Sequence, residues 1–270
     1  MSLRCVYTDL DGTLLGDGAS LFTDYEGNFS MMQAKALEAC SRAGVEVVIM
    51  SGRRQVQVHE DARIIGQTSF IFEAGSAFSI DRELTMMTGE FEHEDGKTVV
   101  EQMSDRGVPE LLFEHYQDKL EFHEPWHTGR EMSHLFRGEV DTEEANLLLD
   151  EHGHSDLRLL DNGAISRGME GIEVTHCYHL VPRGVSKAGA VAAHARARGY
   201  TLEETIAVGD SVEDLEVAAS VGKFFVVANG PEKDPEVRRV MANFDNITVT
   251  EGRNGDGFYE AVVSSLMGRA

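Results

Sequence analysis

The stretch Asp9-Leu10-Asp11-Gly12-Thr13-Leu14, entered from Leu3-Arg4-Cys5-Val6-Tyr7-Thr8, decides the reading of this chain. The apolar run reads as a short buried strand near the N-terminus. Two carboxylates follow one residue apart where that strand ends, and a glycine and a hydroxyl residue come directly after them. In open α/β sheets, ligands gather outside the carboxyl ends of strands. Two anionic groups at such a place repel each other and lose water, so a compensating charge is expected, and a divalent cation is the obvious source. Asp and Gly also make ordinary solvated turns, so the hexapeptide alone does not decide between turn and site. An EF-hand loop shares the D-x-D pattern and a glycine, but here Gly12 follows Asp11 directly and Ser20 stands where the closing glutamate belongs.

Strand-like runs alternate with helical patterns on both sides of the chain's middle. Val45–Met50, Ser69–Glu73, Thr205–Val208 and Phe224–Val227 read as further strands. Helices are expected from Ser30 to about Ala43, stopped by Gly44, and near Ser186–Arg198, Ser211–Val221, Asp234–Ala242 and Gly257–Met267. Alternation of this kind implies an α/β domain with a Rossmann-like parallel sheet covered on both faces. From about Arg82 to Thr175 the alternation breaks down into mixed segments rich in histidine and acidic residues. The expected organisation is a core built from residues 1–81 and 180–270, with an inserted α+β module over 82–179. Pro182 and Gly184 punctuate the second hinge.

The 270 residues carry 47 acidic against 24 basic side chains, a formal charge of −23. That balance argues against nucleic acid as a partner, since phosphate backbones demand clustered Lys and Arg. No apolar run approaches membrane-spanning length, and no signal-peptide pattern opens the chain. Cys5, Cys40 and Cys177 are odd in number and widely spaced, with no disulfide framework, so a reducing cytoplasmic setting is expected. No motif fixes an oligomeric state.

Three further segments end on strands or open helices. Ser51-Gly52-Arg53 follows Val45–Met50 and offers a hydroxyl and free backbone N–H groups, an anion-binding concavity or a plain helix cap. Lys187 opens a helix, against the dipole preference for anions there, which suggests an anion nearby. Gly209-Asp210-Ser211-Val212-Glu213-Asp214 follows Thr205–Val208; acidic residues favour a first turn, but capping does not require an Asp at the strand end preceded by Gly.

In this order, D-x-D-G-T, S-G-R, K and G-D-x-x-x-D resemble the haloacid dehalogenase superfamily of phosphohydrolases. The long insert between the second and third segments resembles the cap of its Cof-type, sugar-phosphate phosphatase branch. The resemblance implies that Asp9 is the nucleophile and forms an aspartyl-phosphate. Asp11 is then general acid and later base, and Ser51, Lys187 and backbone near Gly12 and Gly52 hold the phosphate. Magnesium is implied as cofactor, on Asp9, the Asp11 carbonyl, Asp210 and Asp214. For substrate binding, Arg53, Arg130 and Asn229 are the candidates; Arg130 sits in a basic cap group with His127, His134 and Arg137. Many Cof-like relatives carry Asn where this chain has Glu213, so Glu213 stays outside the ligand set. Glu251-Gly252 and Asn254-Gly255-Asp256-Gly257 resemble mannosyl-3-phosphoglycerate phosphatases, pointing to a small-molecule ester of a sugar or sugar acid.

Two other readings stay open. A phosphotransferase or phosphomutase shares the aspartyl-phosphate but delivers the group to a sugar. A phosphate-accepting regulatory domain shares acidic residues, a hydroxyl and a lysine, but is shorter and leaves the cap without purpose. No G-x-G-x-x-G or P-loop follows any expected strand, which disfavours a dinucleotide enzyme.

Overall fold

A computed structural model describes residues 2–165 and 167–268. Among the described residues twelve strands fall into two sheets. Those of the first are β1 (Cys5–Thr8), β2 (Glu46–Met50), β3 (Phe70–Phe72), β4 (Ala77–Ile80) and β5 (Glu83–Met86), joined later by β10, β11 and β12. The second comprises β6 (Leu120–Phe122), β7 (His134–Gly138), β8 (Leu157–Ala164) and β9 (His176–Pro182). The chain then adds β10 (Thr205–Gly209), β11 (Lys223–Val226) and β12 (Ile247–Val249) to the first sheet.

The eight-stranded sheet has the order β12-β11-β10-β1-β2-β3-β4-β5. From β12 to β3 every pairing is parallel, and β4 and β5 extend it antiparallel. Residues alternate between faces along each strand. Val6, Val47 and Ile49 pack on one face; Cys5, Tyr7, Val48 and Met50 pack on the other. Both faces are therefore apolar and both are covered, which is why the strands read as unbroken hydrophobic runs. The architecture is α/β with a mixed, mostly parallel core sheet and a separate antiparallel cap sheet, as the alternation implied.

The first expected helix forms over Met32–Ala43 and ends at Gly44 in the left-handed region. The expected helix over 211–221 is broken: Val212–Leu215 is α-helical and Glu216–Ser220 is a 3-10 segment. The hairpin β4–β5 falls where a hinge was expected, and both its strands pair into the eight-stranded sheet. The chain thus leaves that sheet after Met86 and returns from the cap sheet after Pro182. Cap helices Val99–Asp105 and Thr142–Glu151 start at side-chain caps, Thr98 with Glu101 in a reciprocal box and Asp141 accepting from two amides. The apolar cluster on one core face continues into the cap through Met132, Phe136 and Tyr178. Among the described residues no helix is long and apolar enough to cross a membrane.

Candidate active site

β1 lies between β2 and β10 in register, so the segments after Thr8, Met50 and Gly209 emerge side by side at one edge of the sheet. Asp9 follows β1 directly; its N–H still donates to Val208 O at 3.0 Å. The chain then turns tightly, with Thr13 N–H on Leu10 O and Leu15 N–H on Leu10 O. Gly12 makes that turn possible twice over. Its φ is +87°, and a Cβ there would lie 2.4 Å from Asp210 Oδ2. Thr13 Oγ1 donates to Asp210 Oδ1 at 3.0 Å, so the first and fourth sequence segments are joined by direct contact.

Lys187 occupies the middle. Its Nζ lies 3.3 Å from Asp9 Oδ1, 3.2 Å from Glu213 Oε2 and 2.8 Å from Asp214 Oδ1, and the residue is 2% exposed. The lysine in a first helical turn thus faces three carboxylates from other elements. Burial disfavours its charge, but Asp214, Glu213 and Asp9 outweigh that and raise its pKa well above the usual lysine value. Asp214 is held on both sides: Oδ2 accepts from Asp210 N–H, Ser211 N–H and Ser211 Oγ while Oδ1 takes Lys187. Gly209 keeps this turn close, since a Cβ there would sit 2.5 Å from Asp214 Cβ.

Negative charge remains in excess. Burial first, then repulsion from Asp214, Asp210 and Asp11, raises the Asp9 pKa despite Lys187. Burial and Asp214 push Asp210 up to about 7. Asp9, Asp210 and Asp214 each offer a carboxylate oxygen within 4.8 Å of the others. An all-oxygen, under-neutralised donor set of this size suits a hard divalent cation.

Ser51 is buried at the end of β2, where its Oγ accepts from Arg53 N–H at 3.2 Å. Arg53 forks onto Asp11, with Nε on Oδ2 at 2.8 Å and Nη2 on Oδ1 at 2.6 Å, and its Nη1 binds Asp61. Gly52 lies under the cap: a Cβ there would be 2.7 Å from His179 Nε2 and 3.4 Å from Asn162 Nδ2. Asn229 is fully buried, donating to Gly12 O at 2.8 Å and accepting Asn254 N–H at 2.8 Å. Asn254 in turn donates to Leu15 O. These two asparagines hold the Asp9–Leu15 turn from behind.

The basic cap residues do not converge. Arg130 is buried and donates to Gly52 O at 2.8 Å. Arg137 pairs with Glu121, His134 bonds Ser104 Oγ, and His127 stacks on Phe122. His134 and Arg137 are three apart on one strand and so face opposite ways. Sequence reasoning passed over Glu73, which is buried at the end of β3 and accepts three cap-loop amides. The signal was present: an acidic residue directly after a strand on the same sheet edge as Asp9 and Asp210.

A family model described as haloacid dehalogenase-like hydrolase matches residues 6–164 and 172–259. The chain is 27% identical to a phosphoglycolate phosphatase of Methanoculleus marisnigri over 96% of its own length and 95% of the relative's. It is 26% identical to one of Methanothermobacter thermautotrophicus over 96% and 97%. Among solved structures, sucrose-phosphatase from Synechocystis, in complex with sucrose and phosphate, superposes with a TM-score of 0.69 at 13% identity, covering 98% of each chain. That last likeness concerns the fold.

Proposed function

The chain belongs to the haloacid dehalogenase-like hydrolases, a family of phosphatases, and from that premise we propose that it is a magnesium-dependent phosphomonoesterase of small phosphorylated sugar acids. The observation that carries the reading is the set of acidic groups around one buried lysine at the ligand-binding edge of the sheet. The substrate class rests on full-length relatives named phosphoglycolate phosphatase. The finer likeness to mannosyl-3-phosphoglycerate phosphatases has less support, because Asn254 and Gly255 pack against Asn229, Leu15 and Gln33 behind the Asp9 turn.

In this reading Asp9 attacks phosphorus and the ester oxygen leaves with a proton from Asp11. Water then attacks the aspartyl-phosphate, Asp11 takes its proton, and phosphate and free Asp9 result. Donation by Asp11 requires it to leave the Arg53 fork. Ser51, Lys187 and the amides near Gly12 and Gly52 hold the non-bridging oxygens, and such positioning is most of what phosphoryl transfer needs. Asp9, the Asp11 carbonyl and Asp210 would hold magnesium, and Asp214, with both oxygens already engaged, would steady that set through Lys187 and Ser211. When bound, the ion neutralises the carboxylates so that an anionic nucleophile can meet an anionic ester. The segment 87–182 acts as the cap that covers the leaving group, and three free cysteines fit a reducing cytoplasm.

The test is phosphate release from a panel of phosphoglycolate, longer sugar-acid phosphates, hexose phosphates and nucleotides, with and without magnesium. The expected result is magnesium-dependent turnover with sugar-acid phosphates foremost. Preference for nucleotides, or transfer of the group to a sugar in place of release, overturns the proposal.

A further inference from the structure

The residues between Phe72 and Ser76 lie outside the four motif segments, yet they brace two of them. Glu73, Ala74 and Gly75 have φ of 47°, 57° and 86°. Two of these carry a Cβ, and a left-handed run of this kind persists only where the surroundings over-determine it. Glu73 N–H donates to Arg53 O at 3.0 Å and Ala74 N–H to Ser51 O at 3.2 Å. A Cβ on Gly75 would lie 2.2 Å from Ser186 O and 2.5 Å from Lys187 N. The loop is therefore wedged between the Ser51–Arg53 segment and the first turn of the lysine helix.

The Glu73 side chain reaches into the cap and is fully buried. Its Oε1 accepts Glu131 N–H at 3.1 Å. Its Oε2 accepts Met132 N–H at 3.1 Å, Ser133 N–H at 2.8 Å and Ser133 Oγ at 2.9 Å. Arg130 Nε lies 3.7 Å from the same oxygen, and Arg130 Nη2 donates to Gly52 O and to Ser133 Oγ. One carboxylate from the core thus gathers three successive amides of the cap, while the neighbouring guanidinium returns to the core at the phosphate-binding segment.

We propose that Glu73 is a positioning residue for the phosphatase reaction: its carboxylate sets the cap loop 130–133 against the Ser51–Arg53 segment and so fixes where cap groups meet the leaving group. The inference rests on the phosphatase reading of the cleft, although its contacts involve no ion. Charge-assisted bonds to a buried carboxylate are strong, and removing the acceptor strands every donor aimed at it. A displacement of about 1 Å at the reacting centre can cost about a hundredfold. The loss falls on esters whose leaving group is held by polar cap contacts and spares aryl esters, whose leaving group departs without them.

Glu73→Gln keeps the volume but turns an NH2 toward N–H donors; Ser133→Ala, the milder variant, removes one donor and is the safeguard should the first not fold. The readouts are kcat and KM for a phosphorylated sugar acid and for para-nitrophenyl phosphate, together with amide exchange at 131–133. In Glu73→Gln, kcat/KM for the sugar-acid ester is expected to fall about tenfold or more, mostly through KM, with the aryl ester changed less than about threefold. Ser133→Ala should show the same asymmetry at smaller size, and exchange at 131–133 should quicken in both. Equal losses on both esters, or unchanged kinetics with quickened exchange, overturn the proposal. Failure of the phosphatase reading looks different: the wild-type protein is then inert on both esters while still protecting these amides, and the positioning role falls with it.

Discussion

Two buried polar assemblies lie at the same edge of the sheet and are built on opposite terms. Around Lys187, Asp9, Asp210, Glu213 and Asp214 crowd one amine, and burial holds Asp9, Asp210 and Glu213 toward their protonated forms. Among the described residues neither oxygen of Glu213 has a hydrogen-bonding partner, although Oε2 lies at ion-pair distance from Lys187. Around Glu73 every strong donor is matched, and one carboxylate faces one guanidinium, three amides and a hydroxyl. In the proposed function the first assembly is completed by a cation from outside the chain. The second is complete in itself and joins the core to the cap. Buried ionic groups thus do two jobs here, and the charge balance tells them apart.

The largest expected effect breaks the first assembly at its proposed nucleophile. Asp9→Asn should lower phosphate release by about four orders of magnitude or more while the protein stays folded. Circular dichroism checks the fold, and mass spectrometry excludes reversion to Asp.

A matched pair of cation deletions sharpens the contrast. Arg130→Met leaves Glu73 buried beside a neutral side chain and should cost about 3–5 kcal/mol of stability, read by denaturant unfolding. Lys187→Met should instead lower kcat about a hundredfold to a thousandfold. Its stability loss should be largely restored by magnesium, because added cation answers the same deficit. Magnesium should do nothing for Arg130→Met, and rescue of both variants alike would erase the distinction.

The smallest effect is a pH dependence. A carboxyl raised to about 7 in the folded chain binds protons that the unfolded chain, near 3.8, has released. Asp210 therefore costs the metal-free protein stability as pH rises between those values. Magnesium competes with that proton, so the rise in melting temperature on adding magnesium should be greater at pH 8 than at pH 6. Comparing increments cancels the opposing contribution of the buried histidines His123, His134 and His194. Burial lowers the pKa of each to about 4, which destabilises the fold as pH falls from about 6.5. An increment independent of pH would remove Asp210 from the metal site.

The parallel core was legible because strands buried on both faces leave continuous apolar runs punctuated by Gly, Ser and Asp. That the segments of Gly12 and Asp210 share one sheet edge followed from the same reasoning, but their direct contact, set by the adjacency of β1 and β10, was not readable from the sequence. The β4–β5 hairpin was not legible: Glu83–Met86 alternates polar and apolar residues over only four positions and is exposed along its length, so no buried face marks it as part of the sheet. The fate of Arg53, Arg130 and Asn229 was hidden for another reason. Side-chain type announces what a residue can bind, but here each finds its partners within the chain: Asp11 and Asp61, Gly52 and Glu73, Gly12 and Asn254. For Glu73 the strand-end carboxylate was legible but its partners were not, because the amides that it accepts come from the distant loop 131–133 and carry no side-chain signature.

Because the chain departs from the main sheet after Met86 and rejoins it after Pro182, the whole middle is a cassette held at two ends. Exchanging it with a relative's would leave the crossing strands of the core intact. A transplanted cassette must nevertheless present three consecutive free amides to Glu73, so compatibility between halves of different origin is decided by backbone shape at one loop and not by likeness of side chains.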